Sequence, residues 1–248
     1  MPLSKTPIWC AASLLALTCV TACADPGYYV VTAYSDPGLR TVDLRYWTVD
    51  TPRAPATLWP ELGLGWNVDE RWYTGVLASY IGSEGTATRL STLNWQNDLV
   101  LTGGRYPVDV ALHTLVTKDY SGGHALEFGP ALQTDVGRTQ LNFNLFFARA
   151  FGAMAGKPTQ LKYQWQARYR WMPALHVGLQ GFGEVGRWDH WPAWQKQSHR
   201  AGPAVFGKLP IGGRTSGDQP VQWQAAWLVG STYAQHGSMF SARVSYGF

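Results

Sequence analysis

The sequence predicts an all-β protein: a closed antiparallel up-and-down transmembrane β-barrel of about twelve strands. Three observations predict it. Residues 161–171 alternate without a break, with Leu161, Tyr163, Trp165, Ala167, Tyr169 and Trp171 set against Lys162, Gln164, Gln166, Arg168 and Arg170. A helical period would scatter those charges around the cylinder, so this is a strand with one apolar and one polar face. The chain also ends in alternation, Phe240, Ala242, Val244, Tyr246 and Phe248 against Ser241, Arg243, Ser245 and Gly247, where a soluble chain normally frays into water. Finally, aromatic residues make up 14% of the chain, with 13 Trp, against only 15% charged residues. No stretch after the leader approaches the ~18 apolar residues of a spanning helix, so the aromatics suit the interfacial girdles of a barrel.

Residues 1–24 form a secretory leader: Lys5, an apolar run from Ile8 to Val20, and the small-x-small end Ala22-Cys23-Ala24. That run is too short for the ~20 residues of a membrane anchor. All three cysteines lie here, so cleavage after Ala24 leaves no disulfide framework. Val20-Thr21-Ala22-Cys23 is also similar to a lipobox, in which Cys23 becomes a lipidated first residue. Both alternatives point to the bacterial envelope. The formal charge of +4 is too small to indicate a nucleic-acid partner.

Residues 25–38 read as a periplasmic lead-in ended by the Asp36-Pro37-Gly38 turn, with Gly27–Tyr34 as a short segment that adds a strand or touches the barrel rim. Residues 39–248 form the barrel, in segments of about ten residues between turn signals. The first strand, 39–48, sets Val42, Leu44 and Tyr46 against Asp43, Arg45 and Trp47; Pro-rich 51–56 is a loop. The second, 58–68, sets Leu62, Leu64 and Trp66 against Trp59, Glu61 and Asn67, and the third, 72–81, has Trp72, Val76 and Tyr80 toward lipid. The fourth, 90–102, opposes Leu93, Trp95 and Leu99 to Asn94, Gln96 and Asp98. The fifth alternates Val108, Val110, Leu112 and Val116 with Asp109, Ala111 and His113. Strands six (124–136) and seven meet at a Gly137-Arg138 hairpin. Strand eight is the alternating segment described above. Strands nine (175–185), ten (199–209) and eleven (221–229) lead to the closing strand. An even count returns both ends to the periplasm.

With the polar faces inward, Lys162, Arg168, Arg170, Arg200, Lys208 and Arg243 form a basic wall. Asp43, Glu61, Asp98, Asp109, Glu127 and Asp135 form an acidic one, with Glu184 a further acidic interior position. Such a transverse field favours passage of small anions. The alternative is that the charges pair and fill the lumen, since twelve strands lie between filled eight-stranded barrels and wide porins. His113, His124, His176 and His199 are expected as solvated interior residues without metal-ligand spacing. The loop tryptophans Trp188, Trp191 and Trp194 read as a girdle reaching into lipopolysaccharide, or as a surface for stacking ligands. His236-Gly237-Ser238 at the outer rim is the only hint of an enzyme and lacks an orienting carboxylate. No cofactor or metal motif is present.

Leu126–Pro130, Gln140–Phe146 and His199–Pro203 resemble proteobacterial outer-membrane barrels of the phenol-degradation MetA-pathway, transporter-like type. The terminal Tyr246-Gly247-Phe248 is similar to the signature read by the barrel-assembly machinery. The resemblance implies an outer-membrane location, contact with lipid and lipopolysaccharide, and passage of small, in part aromatic, solutes. A shared fold leaves the solute open.

Overall fold

The computed structural model describes residues 29–33, 36–52, 54–152, 156, 158–210, 220–232 and 235–248. The leader, including the cleavage or lipidation at Cys23, lies outside them. Twelve antiparallel strands close on themselves, each beside its sequence neighbours, and β12 returns to pair with β1. The first six are β1 (Arg40–Thr51), β2 (Ala54–Asn67), β3 (Trp72–Ser83), β4 (Arg89–Val100), β5 (Asp109–Asp119) and β6 (Gly123–Val136). The other six are β7 (Thr139–Gly152), β8 (Gln160–Met172), β9 (Leu175–Arg187), β10 (Ser198–Leu209), β11 (Val221–Thr232) and β12 (Gln235–Gly247). Closure leaves no unpaired edge, the condition for a sheet to sit in hydrocarbon.

Strand number, order and facing follow the alternation. Leu44, Leu64, Trp95, Phe143 and Trp227 are exposed on the outer wall, while their sequence neighbours Asp43, Gln96, Asn142 and Ala226 are buried inside. The expected Pro-rich loop is one difference. Thr51 pairs with Ala54, so β1 and β2 run on through most of it. Gly137 adopts φ 60° in the two-residue hairpin expected at Gly137-Arg138, where Val136 faces Thr139.

The Gly-Pro pairs at 129–130 and 202–203 act as corners. On both, the ladder to the preceding strand is continuous, Pro130 facing Leu112 and Pro203 facing Leu179. The ladder to the following strand skips both residues, because proline has no N–H to donate. The neighbouring backbone closes into the gap. A Cβ on Gly202 would stand 2.0 Å from the Trp227 carbonyl oxygen. The pinch accompanies the complete burial of Phe146 on β7 and Leu228 on β11 in the lumen. By contrast, a Cβ on Gly207 would meet only the Trp223 indole, at 2.2 Å. Gly202→Ala is therefore expected to cost roughly 1–3 kcal/mol through backbone strain and to lower the heat-modifiable folded fraction on gels. Gly207→Ala, where one indole can swing aside into lipid, should fold nearly as wild type.

Candidate functional site in the lumen

Of the segment read as a lead-in, residues 29–33 lie in the barrel interior. They form no ladder, so they add no strand. Their side chains alternate between opposite walls. Val30 packs with Trp47, Trp59, Phe182, Phe206, Leu228 and Met239 of β1, β2 and β9–β12. Tyr29, Val31 and Ala33 pack with Val100, Ala111, Ala131 and Phe146 of β4–β7. Side-chain amides replace a partner strand: the Val31 N–H donates to Gln164 Oε1 at 3.2 Å, and Asn144 Nδ2 donates to the Val31 carbonyl at 2.9 Å. Tyr29 donates its hydroxyl to Gln96 Oε1 at 2.5 Å. A two-residue period normally belongs to a sheet; here it bridges a lumen and closes its middle.

The two expected charged walls are instead a set of pairs. Arg243 grips Asp43 in a fork, Nε at 2.9 Å and Nη2 at 3.0 Å, and Arg45 reaches the same carboxylate at 3.3 Å. Lys162 meets Glu127 at 2.9 Å, Arg170 meets Asp135 at 2.8 Å, and Arg200 lies 4.0 Å from Glu184. Opposite charges in a narrow space find one another because an unpaired interior charge costs several kcal/mol. Glu61 accepts from the Ser79 hydroxyl at 2.6 Å. Asp109 caps the β4–β5 turn by accepting from Thr102 and the Gly104 N–H. Lys208 is exposed near the end of β10. Arg168 differs from the other arginines of this set: among the described residues it has no carboxylate partner. It donates through Nε to His176 Nδ1 at 2.7 Å and lies over the Phe206 ring at 4.8 Å.

The histidine expectation holds only in part. His113 is inside but buried rather than solvated, between Asp98 at 2.5 Å and Glu127 at 3.8 Å. His176 is also inside. His124 and His199 face outward, because the β6 and β10 registers pair them with Lys118 and Gly183 on the outer side. His199 bonds Tyr163 at 2.8 Å and stacks under Trp194 at 3.8 Å. Trp188 meets Phe147 edge-on at 6.2 Å, so two of the three loop tryptophans fold onto the outer wall as a girdle would. In the same loop Arg187 forks onto Asp189, and this hydrogen bonding holds the Asp189 carboxyl below its ordinary range. Tyr246 and Phe248 stand on the outer face beside the seam, and Phe248 exchanges backbone bonds with Arg40.

On the side of the plug where the chain enters β1 and leaves β12 lies a cavity of about 350 Å³, lined by Tyr29, Arg45, Arg168, Gln222, Gln224 and Arg243 among others. In an outer-membrane barrel this is the periplasmic end. On the other side, the space between Glu127, Lys162, Glu184 and Arg200 shrinks to about 20 Å³, room for about one water.

The sequence had marked Arg168 and Arg243 but not Tyr29 or Arg45 as site residues. Arg45 lies 3.6 Å over the Tyr29 ring, with Nε and Nη1 buried and unpartnered. The signals that could have found them were the alternation of residues 29–33 and the placement of Arg45 on the same face as Asp43.

Solved structures with a similar fold include a channel and two porins. An outer membrane channel from Pseudomonas putida F1 superposes with a TM-score of 0.58 at 13% identity, covering 90% of this chain and 99% of that one. The NanC porin gives 0.57 at 9% identity, covering 83% and 98%. The KdgM porin gives 0.55 at 10% identity, covering 84% and 99%. No family model matches the sequence, and no curated protein matches it. At these identities the likeness is one of fold. Together with the closed sheet and its apolar outer band, it makes the chain an integral barrel of the outer-membrane type.

Proposed function

We propose that the barrel is a passive outer-membrane channel for small anionic solutes, held closed by its own residues 29–33. The observation that carries this reading is the position of the plug, across a lumen whose walls are otherwise largely polar. Arg45, Arg168 and Arg243 all line the cavity beneath it. The printed names of the three similar structures, a channel and two porins, support passage rather than catalysis. Anions are favoured over the aromatic solutes implied by the MetA-pathway resemblance, because the apolar lumen surface around Trp47, Trp59 and Phe206 is already covered by Val30. Tyr246 and Phe248, exposed beside the seam, serve in this reading as the signal for the barrel-assembly machinery. The outer band and the folded-down tryptophans meet lipid and lipopolysaccharide.

A planar bilayer under a salt gradient tests the proposal. Wild-type protein should open briefly and with a reversal potential on the anion side, and the double variant Arg168→Gln, Arg170→Gln should move it toward zero. A reversal potential indifferent to those changes would remove anion selectivity. The second reading, a permanently filled structural barrel, is favoured by the apolar packing around Val30. It requires bilayers that stay silent even when the plug is disrupted.

A further inference from the structure

We infer that the 350 Å³ cavity is a binding site for a small hydroxylated carboxylate. The inference rests on the channel reading only for how the ligand arrives. The volume lies in the range of sites that enclose small organic ligands. Its lining is net cationic, with Arg45, Arg168 and Arg243 against Asp98 and, at the exposed mouth, Asp36. The nearby cations Arg45 and Arg243 share Asp43, and Asp98 is engaged by His113 and Gln96. Of the three arginines that line the cavity, Arg168 alone has no carboxylate partner among the described residues. Its Nε is fixed by His176 and its plane is set over Phe206, so the terminal nitrogens are held in place with no partner in the wall. Through these contacts Arg168 reaches from β8 across β9, where His176 stands, to Phe206 on β10. An interior guanidinium held this way fits the planar, two-oxygen geometry of a carboxylate.

The rest of the wall indicates hydroxyl groups. Gln222 and Gln224 project from β11 with no side-chain hydrogen bond among the described residues, and the Thr41 Oγ1 is buried without a partner. Amides both donate and accept, and so match the alternating demands of several hydroxyls. A bare inorganic anion would leave these groups unused, while a neutral sugar would leave Arg168 uncompensated.

Isothermal titration of the full-length protein in detergent, at fixed chloride, decides the matter with three probes: gluconate, acetate and glucose. Wild type should bind gluconate at least about tenfold more tightly than either of the others. Arg168→Gln should abolish that preference over glucose, and the pair Gln222→Leu, Gln224→Leu should bring gluconate down toward acetate. Absence of gluconate binding to wild type overturns the proposal without any variant. Equal affinity for gluconate and acetate overturns it too, by reducing the site to a bare anion cradle, and so does a folded Arg168→Gln protein that binds as wild type. Because titration needs no transport, gluconate binding with silent bilayers would remove the channel and leave the site. Conductance without gluconate binding would do the reverse.

Discussion

Replacing Tyr29, Val30 and Val31 with Gly-Ser-Gly should raise single-channel conductance several-fold and turn brief openings into sustained ones. The magnitudes favour a plug that is closed but can be displaced. Burial of the three larger side chains contributes about 1.5–3 kcal/mol each, and the three hydrogen bonds to Gln96, Gln164 and Asn144 about 1 kcal/mol each. Ordering the backbone from Tyr29 to Ala33 costs about 1–2 kcal/mol per residue. The closed state is thus favoured by only a few kcal/mol, and the open one is populated at the level of a per cent or less. Removing the apolar side chains while keeping the chain length takes away most of the favourable side and reverses the balance. Arg45 should help the open state, since its buried Nε and Nη1 have no partner under the Tyr29 ring and would gain water or solute once the ring leaves. A matched change in the outer loop, Trp188→Ser with Trp191→Ser, should leave conductance untouched. Should the plug variant conduct no better than wild type, the segment does not gate the lumen.

The second large effect is on stability. Asp43→Ala should lower the urea midpoint of the refolded protein by an amount equivalent to about 3–5 kcal/mol, the range for removing one partner of a buried ion pair. The physical reason lies at the closing seam. Arg45 of β1 stands directly opposite Arg243 of β12 in the ladder, and like charges so placed repel. Asp43, only 1% exposed, binds both guanidiniums and turns the repulsion into a three-centre pair. Asp43→Asn, which keeps the shape and one acceptor oxygen, should fall between. An Asp43→Ala barrel with an unchanged midpoint would show that the seam is held by its backbone ladder alone.

Particular residues show how much of this could be seen without coordinates. The facing of Lys162, Gln166, Arg168 and Arg170 was legible because adjacent residues meet different solvents, so the pattern is written in consecutive letters. The tight turn at Gly137-Arg138 was legible for a similarly local reason. The Pro-rich stretch after Thr48 misled, because proline and threonine mark loops on average, whereas here pairing from both neighbouring strands overrides that tendency. His199 was placed inside because histidine is polar; its actual partners, Tyr163 and Trp194, form an outer-face cluster at the rim where polarity is tolerated. The Gly-Pro corners were visible as letters and not as corners, since the pinch involves a carbonyl on the next strand.

The period-two exchange of polar and apolar side chains determined, from the sequence by itself, that this chain forms a closed membrane barrel of a dozen strands with a polar interior, because burial preference acts residue by residue. Only the tertiary structure decided that the interior is stoppered by residues 29–33, that most of its charges are paired and that Arg168 has no carboxylate partner among the described residues. Each of those facts depends on a distance across the lumen or the seam, such as Asp43 to Arg243, 200 positions apart, or Val31 to Gln164, 133 apart. Local alternation places a side chain inside without stating which other side chain it will meet there.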